Sequence, residues 1–280
     1  MRVVVAIFLL MPILVSAQEL PSVSLQEQKV QYYVAAYNQV DRPDLSAGHE
    51  IQSFVHKLQS RQQSFENPKA FLRYVFNKTH QRFLKHYCDY TAFGELFKTR
   101  TYNCLTGTAL YALVLDQLGF PYQVIETNYH IFLLADSGEG QVLFEATDAF
   151  NGFITQANLI VERIEAYKHN SPLVMAASKT YYQYKADLYN VVNLDGIMGL
   201  LHYNQAVQAF NNQDLSTSIN HLDQAIRLYQ SPRIEEFSKI ILYSVMESKL
   251  DPSLRAVFLK KIQDIRSVRM PVVASAYTSK

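Results

Sequence analysis

Cys104 is the residue of this sequence best placed to act as a nucleophile. It lies just before, or in the first turn of, a helix predicted over residues 105–118, and Asn103 or Thr101 could cap that helix. A helix N-terminus favours the thiolate form of a cysteine, because unpaired backbone N–H groups and the helix dipole stabilise negative charge. The thiolate is the nucleophilic form, and the same N–H groups can stabilise an oxyanion. The position therefore predicts attack by Cys104 on a carbonyl carbon.

A nucleophilic cysteine needs a base, and the base needs a group that orients it. His130 opens a predicted strand, and a turn centred on Gly138 would return the chain so that His130 faces Ala146. Glu145 is then one position away, and a shift of one residue in the register decides which side chain points inward. A carboxylate and an imidazole can thus meet at one end of the hairpin. Asp148 is an alternative third member, although it would project beyond the hairpin.

The run from Tyr102 to Tyr122, YNCLTGTALYALVLDQLGFPY, resembles the cysteine helix of transglutaminase-like domains. In those domains a cysteine begins a helix that ends in Leu-Gly-Ile/Phe-Pro, and a strand follows. They then place a histidine at the head of the next strand, as His130 stands in His-Ile-Phe-Leu-Leu, and an acid about fifteen residues later in an Asp-Pro-Thr-like triplet. Glu145-Ala-Thr occupies that place here. The resemblance implies that Cys104 is the nucleophile, His130 the base and Glu145 the orienting acid.

The resemblance covers roughly residues 85–153, and two positions in it depart from the family pattern. Glutamate replaces the usual aspartate, and Phe132 stands where a tryptophan often follows the histidine. Both changes keep the groups that the chemistry needs. The resemblance implies a papain-like core and acyl transfer or hydrolysis on a protein or peptide amide, through a thioester on Cys104.

Short elements of both kinds surround these residues and predict an α+β fold, with the cysteine helix packed on a small antiparallel sheet. Apolar periodicity predicts helices over residues 49–64 and 68–87. Gly119 and Pro121 end the cysteine helix. Three strand candidates follow, at residues 122–126, 130–135 and 141–146.

From about residue 155 the sequence predicts helices to near the end of the chain. Residues 197–211 and 215–229 are two helices with small and large residues at the packing positions of a tetratricopeptide (TPR) repeat, and residues 233–248 and 252–267 are two more. A plain helical hairpin is the alternative. A TPR-like region could bind a protein partner, and this gives a second functional hypothesis. In that hypothesis the transglutaminase-like domain is a non-catalytic scaffold.

The N-terminus has the pattern of a signal peptide. Arg2 precedes an apolar run from Val3 to Val15, and Val15-Ser-Ala17 has the small residues of a cleavage site. The run is too short to span a bilayer, and no later stretch is long and apolar enough. The mature protein is therefore predicted to be exported, to the periplasm or outside the cell. The predicted organisation is a signal peptide (1–17), a transglutaminase-like domain with N-terminal helices (18–160), a TPR-like helical region (161–267) and a flexible tail (268–280).

Composition and cysteine usage bound the remaining alternatives. The net charge of +1 argues against nucleic-acid binding, which leaves a basic footprint. Neither metal-ligand spacing nor a glycine-rich phosphate loop is present, so no metal or cofactor is expected. Two cysteines in an exported protein can form a disulfide, here Cys88–Cys104. Otherwise Cys88, between tyrosines, is predicted to be a buried thiol.

Overall fold

The computed structural model describes residues 24–40, 46–128, 130–169 and 188–267. Within these ranges the chain has an α+β architecture with a small antiparallel sheet, which confirms that part of the predicted fold class. None of the described helices combines the length and the apolar character that crossing a membrane requires. The predicted signal peptide and the predicted C-terminal tail lie outside the described residues.

Three helices precede the cysteine helix. They are α1 (Leu25–Asn38), α2 (Ala47–Gln62) and α3 (Pro68–Phe83). Local sequence explains where two of them begin. Ser24 and Glu27 form a capping box at α1, and the Asn67 side chain accepts hydrogen bonds at α3, where Pro68 occupies the first turn.

The predicted helix over residues 68–87 ends earlier than expected, at Phe83. The chain leaves the helix because β1 (His86–Tyr87) pairs in parallel with β2 (Thr101–Tyr102). A single short helix, α4 (Glu95–Lys98), lies between them. This pairing brings residues 86–88 next to the segment that leads into Cys104, since the Cys88 N–H donates to the Tyr102 carbonyl at 2.9 Å.

The helix α5 (Cys104–Leu118) lies at the centre of the fold. Along it only Cys104 and Asp116 are not buried, as expected for a helix that is apolar around its whole circumference. It contacts α1 and α2 as well as the sheet. Gly119 ends it in the left-handed region with φ 77°, so the predicted helix and its stop are confirmed.

A five-stranded antiparallel sheet packs beside α5, in the order β6-β5-β4-β3-β7. Its strands are β3 (Tyr122–Thr127), β4 (Ile131–Asp136), β5 (Gln141–Phe144), β6 (Phe153–Ile154) and β7 (Tyr189–Val192). Alternate residues of β4 face opposite layers: Leu133 joins the core around α5, whereas Phe132 and Leu134 pack with α6 (Ala157–His169). Both faces of the sheet are therefore covered by helices.

The register of the β4–β5 hairpin differs by one residue from the expected one. Leu133 lies opposite Phe144, and the last pair at the turn is Asp136 with Gln141. The loop spans four residues, because Gly138 and Gly140 both take positive φ and Ser137 N–H donates to the Gly140 carbonyl. The turn therefore centres beyond Gly138, and Ala146 is not the partner of His130. Strand pairing stops at Phe144, so Glu145 follows the strand instead of lying within it.

The prediction that the chain is helical from residue 155 onward is wrong at β7. This strand pairs with β3, with Ile125 opposite Val191, and forms one edge of the sheet. Four residues are too few for an alternation pattern to stand out, and the strand is held by pairing with a segment more than 60 residues earlier. Tertiary pairing therefore decides its conformation.

Four helices complete the described chain: α7 (Leu194–Asn211), α8 (Leu215–Leu228), α9 (Pro232–Glu247) and α10 (Pro252–Ser267). Their bounds agree with the predicted helices to within three residues. The α7–α8 hairpin is close-packed: the Ser218 hydroxyl donates to the Ala206 carbonyl at 2.8 Å. A Cβ at Gly199 would lie 2.6 Å from the Tyr229 Cβ, so a larger residue would force α7 away from the end of α8.

A buried carboxylate joins this helical region to the sheet. Glu126 on β3 is 1% exposed and accepts hydrogen bonds from Tyr229 at 2.7 Å and Ser231 at 3.3 Å. Arg233 at the start of α9 lies 3.4 Å from the same carboxylate and also donates to the Thr127 carbonyl. Burial raises the pKa of Glu126, and the Arg233 charge and the two hydroxyl groups oppose that rise. This network fixes α9 against the end of β3, a few residues from His130.

Candidate active site

Cys104 is the first residue of α5, with a partly exposed side chain. Asn103 caps the helix through a capping box: its Oδ1 accepts from Thr106 N–H at 2.9 Å, and its own N–H donates to Thr106 Oγ1 at 2.9 Å. Of the two capping residues predicted, Asn103 and Thr101, the helix is capped by Asn103. The thiol thus lies where the helix N-terminus stabilises a negative charge.

Both cysteines are free, so the Cys88–Cys104 disulfide predicted as an alternative is absent, and the prediction that Cys88 is buried is wrong. Cys88 follows β1, and its sulfur lies 3.5 Å from the Asp89 carbonyl oxygen. It is exposed because β1 pairs through its backbone with β2 and leaves this side chain outside the core.

His130 stands immediately before β4, where its carbonyl accepts from the Thr127 N–H at 2.8 Å. Its Nε2 lies 2.5 Å from Glu145 Oε2, and its side chain is 18% exposed. The ring atom left for Cys104 is therefore Nδ1. The Cys104 sulfur lies close enough to interact with this ring, although the two groups form no aligned hydrogen bond within the described ranges.

Glu145 is 2% exposed, and four donor groups surround its carboxylate. Oε1 accepts from the backbone N–H and the hydroxyl of Thr147, at 2.9 and 2.6 Å. Oε2 accepts from the Tyr167 hydroxyl at 2.5 Å and lies next to His130. A buried carboxylate with all of its acceptor positions used is held in one orientation. It can therefore fix the orientation of the imidazole.

Asp148, the predicted reserve acid, has a different position. Its Oδ1 accepts from the N–H groups of Phe150 and Asn151, and its Oδ2 lies 3.7 Å from Arg163. These bonds close the turn out of the sheet, as is typical of an aspartate. The structure thus brings Glu145 to His130 and leaves Asp148 in the turn.

The ionisation of the pair follows from this geometry. Burial alone would lower the pKa of His130, but its interactions with Cys104 and Glu145 outweigh burial and raise the pKa to about 10. Burial alone would raise the pKa of Glu145, but the His130 hydrogen bond and charge, with Thr147 and Tyr167, lower it to about 2. At neutral pH the site therefore holds an imidazolium beside a carboxylate.

A cleft of about 410 Å³ opens at Cys104. One side comes from the core and includes Tyr87 and Asn103; the other comes from α7 and α9 and includes Tyr203, Asn204 and Phe237. Residues far apart in the sequence thus share the space in front of the thiol.

No family model, curated protein or solved structure matches this chain. Its functional interpretation therefore depends on the residues themselves and their geometry. In the described ranges, histidines, cysteines and acidic residues form no group of three that could hold a metal ion.

Sequence reasoning missed Tyr167. It lies on α6, and its ring centroid is 4.6 Å from that of His130. Burial and the Glu145 charge raise the pKa of Tyr167, so its hydroxyl keeps its proton and donates to the carboxylate. No local signal marks this residue, because tyrosines are frequent along the whole chain.

A second buried histidine, His80 on α3, gives a prediction about stability. It is 6% exposed, packs against Phe76 and Tyr111, and neither ring nitrogen has a hydrogen-bond partner among the described residues. Burial lowers its pKa to about 4. The unfolded chain therefore binds a proton near pH 6.5 that the folded chain resists, and stability falls as pH falls from 6.5 to 4.

His80→Leu should reduce the pH dependence of the free energy of unfolding by up to about 1.4 kcal/mol per pH unit. It should leave stability at pH 7 unchanged or higher. Urea unfolding at pH 7, 6 and 5 measures it. Part of the slope should remain, because burial also lowers the pKa of His202 to about 4. Equal slopes in the variant and the parent would contradict the prediction.

Proposed function

We propose that the protein is a transglutaminase-like cysteine enzyme that transfers the acyl group of a protein or peptide amide through a thioester on Cys104. The observation that carries the proposal is that three groups meet at the start of α5: Cys104 at the helix N-terminus, His130 next to it, and the buried Glu145 carboxylate that pairs with His130. The His130–Glu145 contact of 2.5 Å orients the imidazole, whose other nitrogen is left for the thiol.

The reaction follows from these roles. The Cys104 thiolate attacks the amide carbon, an S–C bond forms, and the carbonyl π electrons move to oxygen. The intermediate collapses, the C–N bond breaks, and the leaving amine takes a proton from the His130 imidazolium. Neutral His130 then accepts a proton from water or an amine as that group attacks the thioester, and the C–S bond breaks. Hydrolysis is the more economical expectation for an exported single chain.

We further propose that the TPR-like helices take part in substrate binding. Tyr203 on α7 and Phe237 on α9 face the same cleft as Cys104, and their rings are in edge-to-face contact at 5.6 Å. Arg233 and Glu126 fix α9 in place. An extended peptide lying in the cleft would therefore contact both parts of the chain.

A second candidate function is protein binding by the helical region on a non-catalytic scaffold. Exposed apolar side chains on the last two helices favour it: Tyr243, Met246 and Val257 are each more than half exposed. Cys104→Ala separates the two functions. If the protein is a catalyst, the variant should fail to replace the unmodified protein in the cell. If it is a scaffold, the variant should replace it fully.

Alkylation of Cys104 across pH tests the catalytic proposal. In a Cys88→Ser parent, Cys104 is the remaining thiol, and iodoacetamide labelling can be followed by mass spectrometry from pH 5 to 9. An ordinary thiol of pKa near 8.5 is only about 0.3% ionised at pH 6. We expect Cys104 to react at pH 6 at no less than about a tenth of its rate at pH 9, because an adjacent imidazolium favours the thiolate.

The matched control is His130→Ala in the same parent, which should restore the profile of an ordinary thiol. A parent whose labelling falls tenfold for each pH unit below 8 would overturn the proposal. Incubation with peptide carboxamides and a fluorescent primary amine then distinguishes hydrolysis from amine transfer.

A further inference from the structure

The amide nitrogen of the Asn103 side chain, Nδ2, takes no part in the helix cap. Its Oδ1 is fixed by the hydrogen bond from Thr106 N–H, which assigns Nδ2 to the opposite side of the amide. Asn103 is 3% exposed, so its side chain is held in one orientation by its surroundings.

In the part of the chain that the structure describes, no protein group accepts a hydrogen bond from Asn103 Nδ2. Several polar side-chain atoms of the described chain are fully buried without a partner, and Asn103 Nδ2 is not one of them. It therefore keeps some contact with solvent. Asn103 lines the cleft together with Cys104, so the cleft is the space open to this unused donor.

The neighbouring backbone offers a second donor. The first N–H groups of a helix have no acceptor within the helix. The N–H groups of Thr106 and Gly107 are paired with Asn103, whereas that of Cys104 has no acceptor within the described ranges. Within the described ranges, two unpaired N–H donors thus lie on Cys104 and on the residue before it, one from the backbone and one from a side chain.

We infer that Asn103 Nδ2 and the Cys104 N–H together form the oxyanion hole, an inference that rests on the proposed function. When the Cys104 sulfur bonds to the carbonyl carbon, the C=O π pair becomes an oxyanion, and both donors stabilise it. When the intermediate collapses, the pair returns to form the thioester carbonyl and the leaving amine departs with the His130 proton. Preorganised donors at this position act on the transition state more than on the substrate.

Asn103→Ser isolates the amide donor. Serine caps a helix about as well as asparagine, so the start of α5 should be preserved, but it places no N–H group in the cleft. In the Cys88→Ser parent we would compare acylation of Cys104 by p-nitrophenyl acetate with alkylation by iodoacetamide. Acylation passes through an oxyanion, whereas alkylation is a direct displacement that forms none.

The expected result is an acylation rate lower by about 10²- to 10³-fold, with an alkylation rate unchanged within about twofold and an unchanged thermal unfolding profile. If the serine variant unfolds, Asn103→Asp carries the test, because it keeps the cap and the shape of the side chain but loses both N–H donors.

Three other results overturn the inference. Acylation equal to that of the parent removes Asn103 from the oxyanion hole. Equal losses of acylation and alkylation assign it a role in thiol reactivity alone. A parent that is alkylated at pH 6 but not acylated contradicts the proposed function itself, and the inference fails with it.

Discussion

Glu145→Gln should lower the rate of acylation of Cys104 by about 10²- to 10⁴-fold, the range seen when a catalytic histidine loses its orienting carboxylate. Glu145 Oε2 lies 2.5 Å from His130 Nε2 and accepts only while that nitrogen carries a proton. A glutamine presents an N–H group as readily as an oxygen, so it does not select the tautomer with a free Nδ1. The histidine then cannot take the thiol proton efficiently.

The same substitution should change the pH dependence of the site. Without the Glu145 charge, only Cys104 opposes the effect of burial, so the pKa of His130 falls from about 10. The imidazolium is then less favoured, and alkylation of Cys104 at pH 6 should slow toward that of an ordinary thiol. Stability changes as well: the pKa of Glu145 is lowered to about 2, so its stabilising contribution is present above pH 4.5 and is lost as pH falls toward 2.

Asp148→Asn is the matched control. It removes a negative charge three residues away, and an asparagine oxygen can still accept from the Phe150 and Asn151 N–H groups. Acylation should stay within about threefold of the parent, because Asp148 closes a turn and does not orient His130. Equal losses of acylation rate in the two variants would show that both carboxylates act through charge alone. A larger loss for Asp148→Asn would make Asp148 the residue that orients His130.

Gly152→Ala should destabilise the fold by about 2–4 kcal/mol and impair the site at the same time. A Cβ at this position would lie 2.3 Å from the Asp148 carbonyl oxygen and 2.4 Å from that of Glu145. Both contacts are with backbone atoms, which cannot rotate away. Gly152 also donates to the Asp148 carbonyl and accepts from the Glu145 N–H, each at 2.8 Å. The methyl group must therefore displace the segment that positions Glu145.

Gly48→Ala is the control for the loss of a glycine. Gly48 lies in the first turn of α2, and a Cβ there meets no atom within 4 Å. It should stabilise the protein by up to about 1 kcal/mol, since alanine loses less conformational freedom in a helix. Denaturant unfolding of the two variants and the parent gives the comparison. A Gly152→Ala variant as stable as the parent would show that the turn can open without cost, and Glu145 would then need another support.

Local features made much of this fold predictable. The helix that begins at Cys104 was expected because a capping residue precedes it, an apolar run follows it, and Gly119 stops it. His130 at the head of a strand and an acid after the next strand were also readable, because a short turn with two glycines lies between them. The end of the hairpin was predicted correctly in outline, while its register was wrong by one residue. Whether a loop closes over three residues or four depends on the φ angles of its glycines, which the sequence permits but does not fix.

The sequence by itself thus determined where the thiol lies on its helix, which strand the imidazole precedes and which acid follows the hairpin. Each of these depends on residues within a few positions of one another. Tertiary structure alone decided three other things: that Tyr167 donates to Glu145 from 22 residues away, that β7 joins the sheet, and that α9 forms a wall of the cleft, held by Arg233 contacts spanning 105 residues. These contacts form because burial and hydrogen bonding in the folded chain outweigh the entropy of closing long loops, a balance that leaves no periodic trace in the sequence.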